Sequence, residues 1–161
     1  DTSLFFKDAI KEVLGDTIGF SNREDNLKLS KATMELMLLI FSEFRRQDKN
    51  LILESNFRPA ELEQIHELAE KNEYEVLTLV LHGEVEILHK RYLNRIYNEN
   101  RHPVHLSTTF DVLDDFRCYV ENARKIEIPG KVIYIDANDF SYQTDIEVLD
   151  KIEIKIPEKR S

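Results

Sequence analysis

The chain has 161 residues, 42% hydrophobic and 33% charged, with 22 lysines and arginines against 31 aspartates and glutamates and a formal net charge of −9. That balance supplies a core and excludes disorder, while the acidic surface repels polyphosphate and argues against a general nucleic-acid binder, although a few convergent arginines can still hold one phosphorylated ligand. Cys118 is the single cysteine, so no intrachain disulfide forms, and the longest purely apolar run, Leu36 to Phe41, is too short to span a bilayer; a soluble cytoplasmic protein with one domain over residues 1–161 is expected.

Ser3-Leu4-Phe5-Phe6 reads as a strand, and Ile10, Val13 and Leu14 recur at helical spacing up to Gly15. A loop over residues 16–27 leads to a helix from Leu29 to Arg46, whose centre is apolar nearly all round and is expected to be buried deeply. Leu51-Ile52-Leu53-Glu54 fits a strand covered on both faces, and Pro59 opens a helix running to Lys71. Glu75 to Leu81 is the next strand and Glu84 to Tyr97 the next helix, followed by the polar stretch Asn98 to Thr109. Asp111 to Lys125 reads as a helix and Val132 to Ile135 as a strand ending at Asp136; a last helix begins near Ser141 or Thr144. Strands alternating with helices, the strands being continuous apolar runs, predict an α/β fold with a parallel sheet flanked by helices in three layers.

In such sheets ligands bind at the carboxyl ends of the strands. Four exits follow: Lys7-Asp8, Glu54-Ser55-Asn56-Phe57-Arg58, His82-Gly83-Glu84 and Asp136-Ala137-Asn138-Asp139. Carboxylates there suit Mg²⁺ coordination or removal of a hydroxyl proton. Asp8 also reads as a helix N-cap, and the two roles are compatible. Glu54 follows three buried aliphatics and needs a partner or solvent to hold its charge. Arg91 and Arg95 share one helix face, with Arg101 just beyond, and three guanidinium groups suit phosphate oxygens; the plain alternative is a solvated cationic face pairing with Glu84 and Glu86. His82, His89, His102 and His105 lack a nearby cysteine and carry only a weak zinc signal. No serine lies in a nucleophile elbow, and Cys118 sits inside a predicted helix.

Phe6-Lys7-Asp8 with Ile10-Lys11-Glu12, then Leu51 to Phe57, then Arg91-Tyr92-Leu93-Asn94-Arg95 with Arg101-His102-Pro103-Val104-His105, resemble in order and spacing the small P-loop kinases related to zeta toxin and chloramphenicol phosphotransferase. The resemblance covers nearly the whole chain, and the arginine helix leading to Arg-His-Pro-x-His is its most specific part. It implies a P-loop NTPase fold of nucleotide-kinase type, with ATP and Mg²⁺ as cofactors and ATP-dependent phosphorylation of a hydroxyl on a small molecule. Asp8 is then near the acceptor, with Lys7, Asn56, Arg58 and His105 on the substrate side and Glu54 at the metal. Arg91, Arg95 and Arg101 sit in a lid over the phosphates, at about residues 84–110, with Arg91, Arg95 and Asn138 as nucleotide contacts. The family usually carries glycine where Val104 stands.

The family's opening strand and loop G-x-x-x-x-G-K-[ST] do not occur; Gly15, Gly19, Gly83 and Gly130 never form that pattern. The chain starts at what resembles the family's second strand, and roughly 30 residues carrying the central first strand, loop and helix are expected ahead of Asp1. A kinase of unidentified acceptor is thus the leading expectation. A catalytically dead binding or regulatory module that kept the fold is the alternative, and a nucleic-acid end kinase is disfavoured by the charge.

Overall fold

The computed structural model describes residues 2–47, 49–106 and 109–155. The chain divides into two compact units, one formed by residues 1–72 and 100–109, the other by residues 73–99 and 110–161. Among the described residues no helix is long and apolar enough to cross a membrane.

In the first unit β1 (Thr2–Phe6) runs into α1 (Lys7–Ile18), α2 (Arg23–Arg46), β2 (Asn50–Glu54) and α3 (Pro59–Lys71). Gly19 ends α1 at φ 82°, a left-handed conformation open to glycine, and its N–H reaches Gly15 O at 2.9 Å. Asn22 then caps α2 by accepting from Asp25 N at 2.9 Å, so α2 begins six residues before the predicted Leu29. Its central apolar run is not buried all round. Leu29, Thr33, Met37 and Phe41 recur at helical spacing as the stripe turned inward, whereas Leu36 and Leu39 are exposed. Pro59 opens α3 as expected, with Glu61 folding back to accept from Arg58 N at 2.9 Å, and Leu62, Ile65 and Ala69 form its buried face.

Strands β1 and β2 pair in parallel, from Thr2 opposite Asn50 to Phe6 opposite Glu54. Phe5, Leu51 and Leu53 are half-buried, Phe5 meeting Phe44 edge to face at 5.3 Å. Leu4, Phe6 and Ile52 point to the other face and are exposed. Among the described residues strand β2 is therefore covered on one face, not on both.

In the second unit β3 (Leu77–His82), α4 (Val85–Tyr97), α5 (Leu113–Arg124), β4 (Lys131–Asp136) and α6 (Ile146–Lys155) follow in order. A 3₁₀ turn, Ser141–Gln143, stands where the last helix was expected to begin. β3 and β4 pair in parallel, with His82 opposite Asp136 at their carboxyl ends. The core gathers Val85, Phe116, Ile133, Ile135 and Ala137. His89 is buried beside Tyr92 and Phe116, its Nε2 bonded to Phe110 O at 2.9 Å, so this histidine is satisfied within the core.

The segment Arg101–Leu106 packs in the first unit. Pro103–His105 is a 3₁₀ turn whose Val104 is fully buried against Gly15 of α1, and the Val104 carbonyl accepts from Asn26 Nδ2 of α2 and, at 3.5 Å, from Lys11 Nζ. A Cβ added at Gly15 would lie 3.3 Å from Val104 Cγ2. Gly15→Leu is accordingly expected to lower stability by about 1–3 kcal/mol through overpacking, and amide exchange should show faster exchange at Val104. An unchanged midpoint would mean that the turn is not seated on Gly15.

Candidate functional site

The parallel register sets Phe6 opposite Glu54, so the two strands of the first unit release Lys7-Asp8 and Glu54-Ser55-Asn56 side by side. The α1 N-cap position belongs to Phe6, which makes no side-chain cap; Asp8 lies within the first turn, 63% exposed, and is not the cap. Lys7 turns inward to Glu61 Oε1 of α3 at 2.6 Å, both side chains nearly out of solvent. That ion pair ties the first turn of α1 to the first turn of α3 below the exit loops. Asn56 and Arg58 are exposed in the β2–α3 connection.

Glu54 stands at the strand end with its carboxyl pushed above its ordinary value, first by loss of solvent around it and then by the negative charge of Asp8. A carboxylate whose folded-state value is raised weakens the fold once it ionises, so its cost is absent below its ordinary value of 4.5 and present at neutral pH. Glu54→Gln is expected to raise the unfolding midpoint slightly at pH 7 and to leave it unchanged at pH 4. A variant less stable than the parent at pH 7 would show that the ionised carboxylate is a stabilising partner.

The Arg101–His105 segment faces the same end of α1. Arg101 Nη2 lies 3.9 Å from Asp8 Oδ2 and His105 Nδ1 3.8 Å from Asp8 Oδ1, while His105 Nε2 meets Glu12 Oε1 at 2.9 Å and His102 Nε2 meets Asp16 Oδ1 at 3.0 Å. Arg101 Nε is buried without a hydrogen-bond partner. Burial lowers the Lys11 ammonium from its ordinary value, Asp8 opposing and Lys7 and Arg58 adding to the shift, and Lys11 donates to Asn26 Oδ1 at 2.8 Å. The structure thus brings together Asp8, Glu54, Arg101 and His105, with Lys7 and Arg58 flanking them.

In the second unit the exits of β3 and β4 are laced together. Ala137 N donates to His82 O at 2.7 Å, Asn138 Oδ1 accepts from Glu84 N at 2.6 Å, and Asn138 N donates to Asp136 Oδ1 at 2.8 Å. Gly83 is required here, since a Cβ would lie 2.9 Å from Asn138 Oδ1. Arg91 reaches from α4 to donate to the carbonyls of Ala137 and Asn138, its Cζ 4.5 Å from the centre of the Phe140 ring. Arg95 is exposed one turn further on, engaged by no ion pair among the described residues. The plain alternative of pairing with Glu84 and Glu86 is not what forms: Glu86 pairs with Arg117 at 2.7 Å.

Comparison of the whole chain with solved structures finds a crystal structure of a "putative kinase" from Chloroflexus aurantiacus J-10-fl, at a TM-score of 0.74 and 24% identity, over 97% of this chain and 85% of that one. The chain shares the fold of that protein. No protein-family model matches it, and no curated protein does. The likeness speaks for the fold, the mixed arrangement of helices and short parallel strands expected from the sequence.

Sequence reasoning assigned no site role to Lys11, Glu12 and His102, although it quoted them, and did not single out Asp16 or Asn26. The spacing of Asp8, Glu12 and Asp16 at i, i+4 and i+8 on α1 was the available signal, a carboxylate stripe awaiting cations. Among the described residues no group of three or more histidine, cysteine, aspartate or glutamate side chains could hold a metal ion by itself.

Proposed function

We propose that the chain is the larger part of an ATP-dependent phosphotransferase that phosphorylates a hydroxyl of a small molecule. The observation that carries this reading is the meeting, at the carboxyl ends of β1 and β2 in a kinase-like fold, of two carboxylates, Asp8 and Glu54, with Arg101 and His105. Asp8, exposed and at the strand exit, accepts the hydroxyl proton. Glu54 offers an oxygen ligand to Mg²⁺, a cation that typically takes one or two protein carboxylates and completes its shell with water and phosphate oxygens. Arg101 supplies a cationic donor to the phosphoryl group, and Asn56, Arg58 and His105 flank the acceptor. Lys7, tied to Glu61, holds the first turn of α1 in place, and within the second unit Arg91 holds the Ala137–Asn138 loop.

The triphosphate itself requires backbone amides and a lysine of a G-x-x-x-x-G-K-[ST] loop, a pattern these 161 residues do not contain. The reading therefore includes a loop supplied by further sequence, and the strand pairing supports it. Among the described residues β2 pairs only with β1 and β3 only with β4, so each unit keeps an open strand edge. Calorimetry tests the reading: residues 1–161 should bind ATP with Mg²⁺ poorly and a form extended by the loop should bind it well. Tight magnesium-dependent binding by residues 1–161 alone would overturn the placement of the triphosphate. The missing loop equally favours a binding module that keeps the fold, and an extended form that binds ATP without turning over any acceptor would establish that second reading.

A further inference from the structure

Two seams of identical spacing lie side by side in the first unit. Glu35, Leu38, Leu39 and Ser42 of α2 fall at positions i, i+3, i+4 and i+7, and so do Gln64, Glu67, Leu68 and Lys71 of α3; together they line an open groove of about 470 Å³. The carboxyl ends of the two helices are tied together, Arg45 Nε donating to Asn72 O. A trough between two helices, with apolar side chains recurring at helical spacing along it, has the shape that a third helix fills. Leu38 and Leu68 are half-buried in it and Leu39 is 56% exposed, although the inward stripe of α2 is already packed. Ser42 offers no free donor, since its hydroxyl donates to Leu38 O at 3.0 Å.

The rim of the groove selects the kind of helix. Glu35 and Glu67 are exposed and take part in no ion pair among the described residues, and Lys71 is the one cation of the lining. Glu63 and Glu70 stand one turn to either side of Glu67, so this face of α3 repels itself until cations cover it. We propose that the groove docks an amphipathic helix of another protein. Its apolar side chains, one or two per turn, lie on Leu38, Leu39 and Leu68, and its flanking lysines or arginines meet Glu35 and Glu67. A second copy of the chain does not match these demands. A two-fold contact through the groove would set Glu35 and Glu67 beside their own equivalents, and the chain's basic helix, α4, already turns Val85 and His89 into its own core.

The test uses residues 1–161 and a synthetic peptide about four turns long, with leucines at helical spacing and lysines on either side of them. Fluorescence anisotropy should show saturable binding with a gain of helix by circular dichroism, and binding at least about tenfold weaker when glutamates replace the lysines. Leu39→Asp and Glu67→Lys should each weaken binding of the lysine peptide about tenfold. Leu36→Asp, the same change at an exposed leucine of α2 outside the groove, should leave it as in the parent. A reading free of any variant comes from the parent's amide shifts on adding the peptide, which should concentrate at residues 35–42 and 64–71. No saturable binding, equal binding of the two peptides, equal losses in Leu36→Asp and Leu39→Asp, or shifts spread over the acidic surface would overturn the inference. So would a dimer of the parent in sedimentation that Leu39→Asp abolishes, because the groove would then belong to a second copy.

Discussion

Asp8→Asn, in a form of the protein that carries the phosphate-binding loop, is expected to lower turnover about 10²-fold or more while leaving Mg²⁺-dependent ATP affinity nearly unchanged. The amide keeps the shape of the carboxylate and loses only its ability to take a proton. Because Phe6 and not Asp8 occupies the α1 N-cap position, the substitution removes no cap, and at an exposed site the unfolding midpoint should move within the range of an ordinary surface change, about 0.5 kcal/mol. The measurement is kcat together with the ATP dissociation constant and the unfolding midpoint, after a screen of sugars, nucleosides and hydroxylated antibiotics with ATP consumption as readout has found an acceptor. Parallel losses in rate and ATP affinity would move Asp8 from the acceptor to the nucleotide side, and a stability loss alone would leave it as part of the clasp with Arg101.

Much of the fold was legible because local signals and tertiary demands coincide. Pro59 at the first turn and Lys71 at the end bound α3 as read, since a proline fixes the start whatever the helix packs against. The strand exits were legible for a similar reason: parallel strands are apolar runs, so the first polar residues after them, Lys7-Asp8 and Asp136, mark where the sheet ends. What failed is what depends on neighbours. Leu36 and Leu39 cannot be told from Met37 and Phe41 by hydrophobicity, because only the packing of α2 decides which apolar stripe turns inward. Leu4 and Ile52 are equally apolar whether or not anything covers them.

The site shows the same division. Residue types at strand exits were readable, but their partners were not, because contacts such as Lys7 with Glu61 or His105 with Glu12 span 54 and 93 residues of sequence and leave no periodic trace. Val104 is instructive. This chain buries a valine there, and the complementary space is provided by Gly15 a long way back in α1. Neither residue alone announces the pair; each is explained only by the other.

The two arginines of α4 are expected to separate cleanly, with opposite signatures in rate and stability. Arg95 is exposed and engaged by no ion pair among the described residues, so Arg95→Ala should cost less than about 1 kcal/mol in stability. If its guanidinium meets the phosphoryl group in the closed complex, the same substitution removes a donor used chiefly in the transition state, and turnover should fall about 10²-fold to 10³-fold. Arg91 is committed elsewhere: it donates to the carbonyls of Ala137 and Asn138 and stacks on Phe140, and Asn138 in turn receives the Glu84 N–H at the start of α4. Arg91→Ala leaves those carbonyls without their donor and should lower stability by about 1–3 kcal/mol. Arg91→Lys should not rescue it, since an ammonium lacks the planar fork with which the guanidinium reaches two adjacent carbonyls while it sits over the Phe140 ring. Rates and unfolding midpoints for the three variants decide the matter. An unchanged rate in Arg95→Ala makes Arg95 part of an ordinary charged helix face, and an Arg91→Ala protein that keeps its stability but loses turnover would return Arg91 to the phosphates.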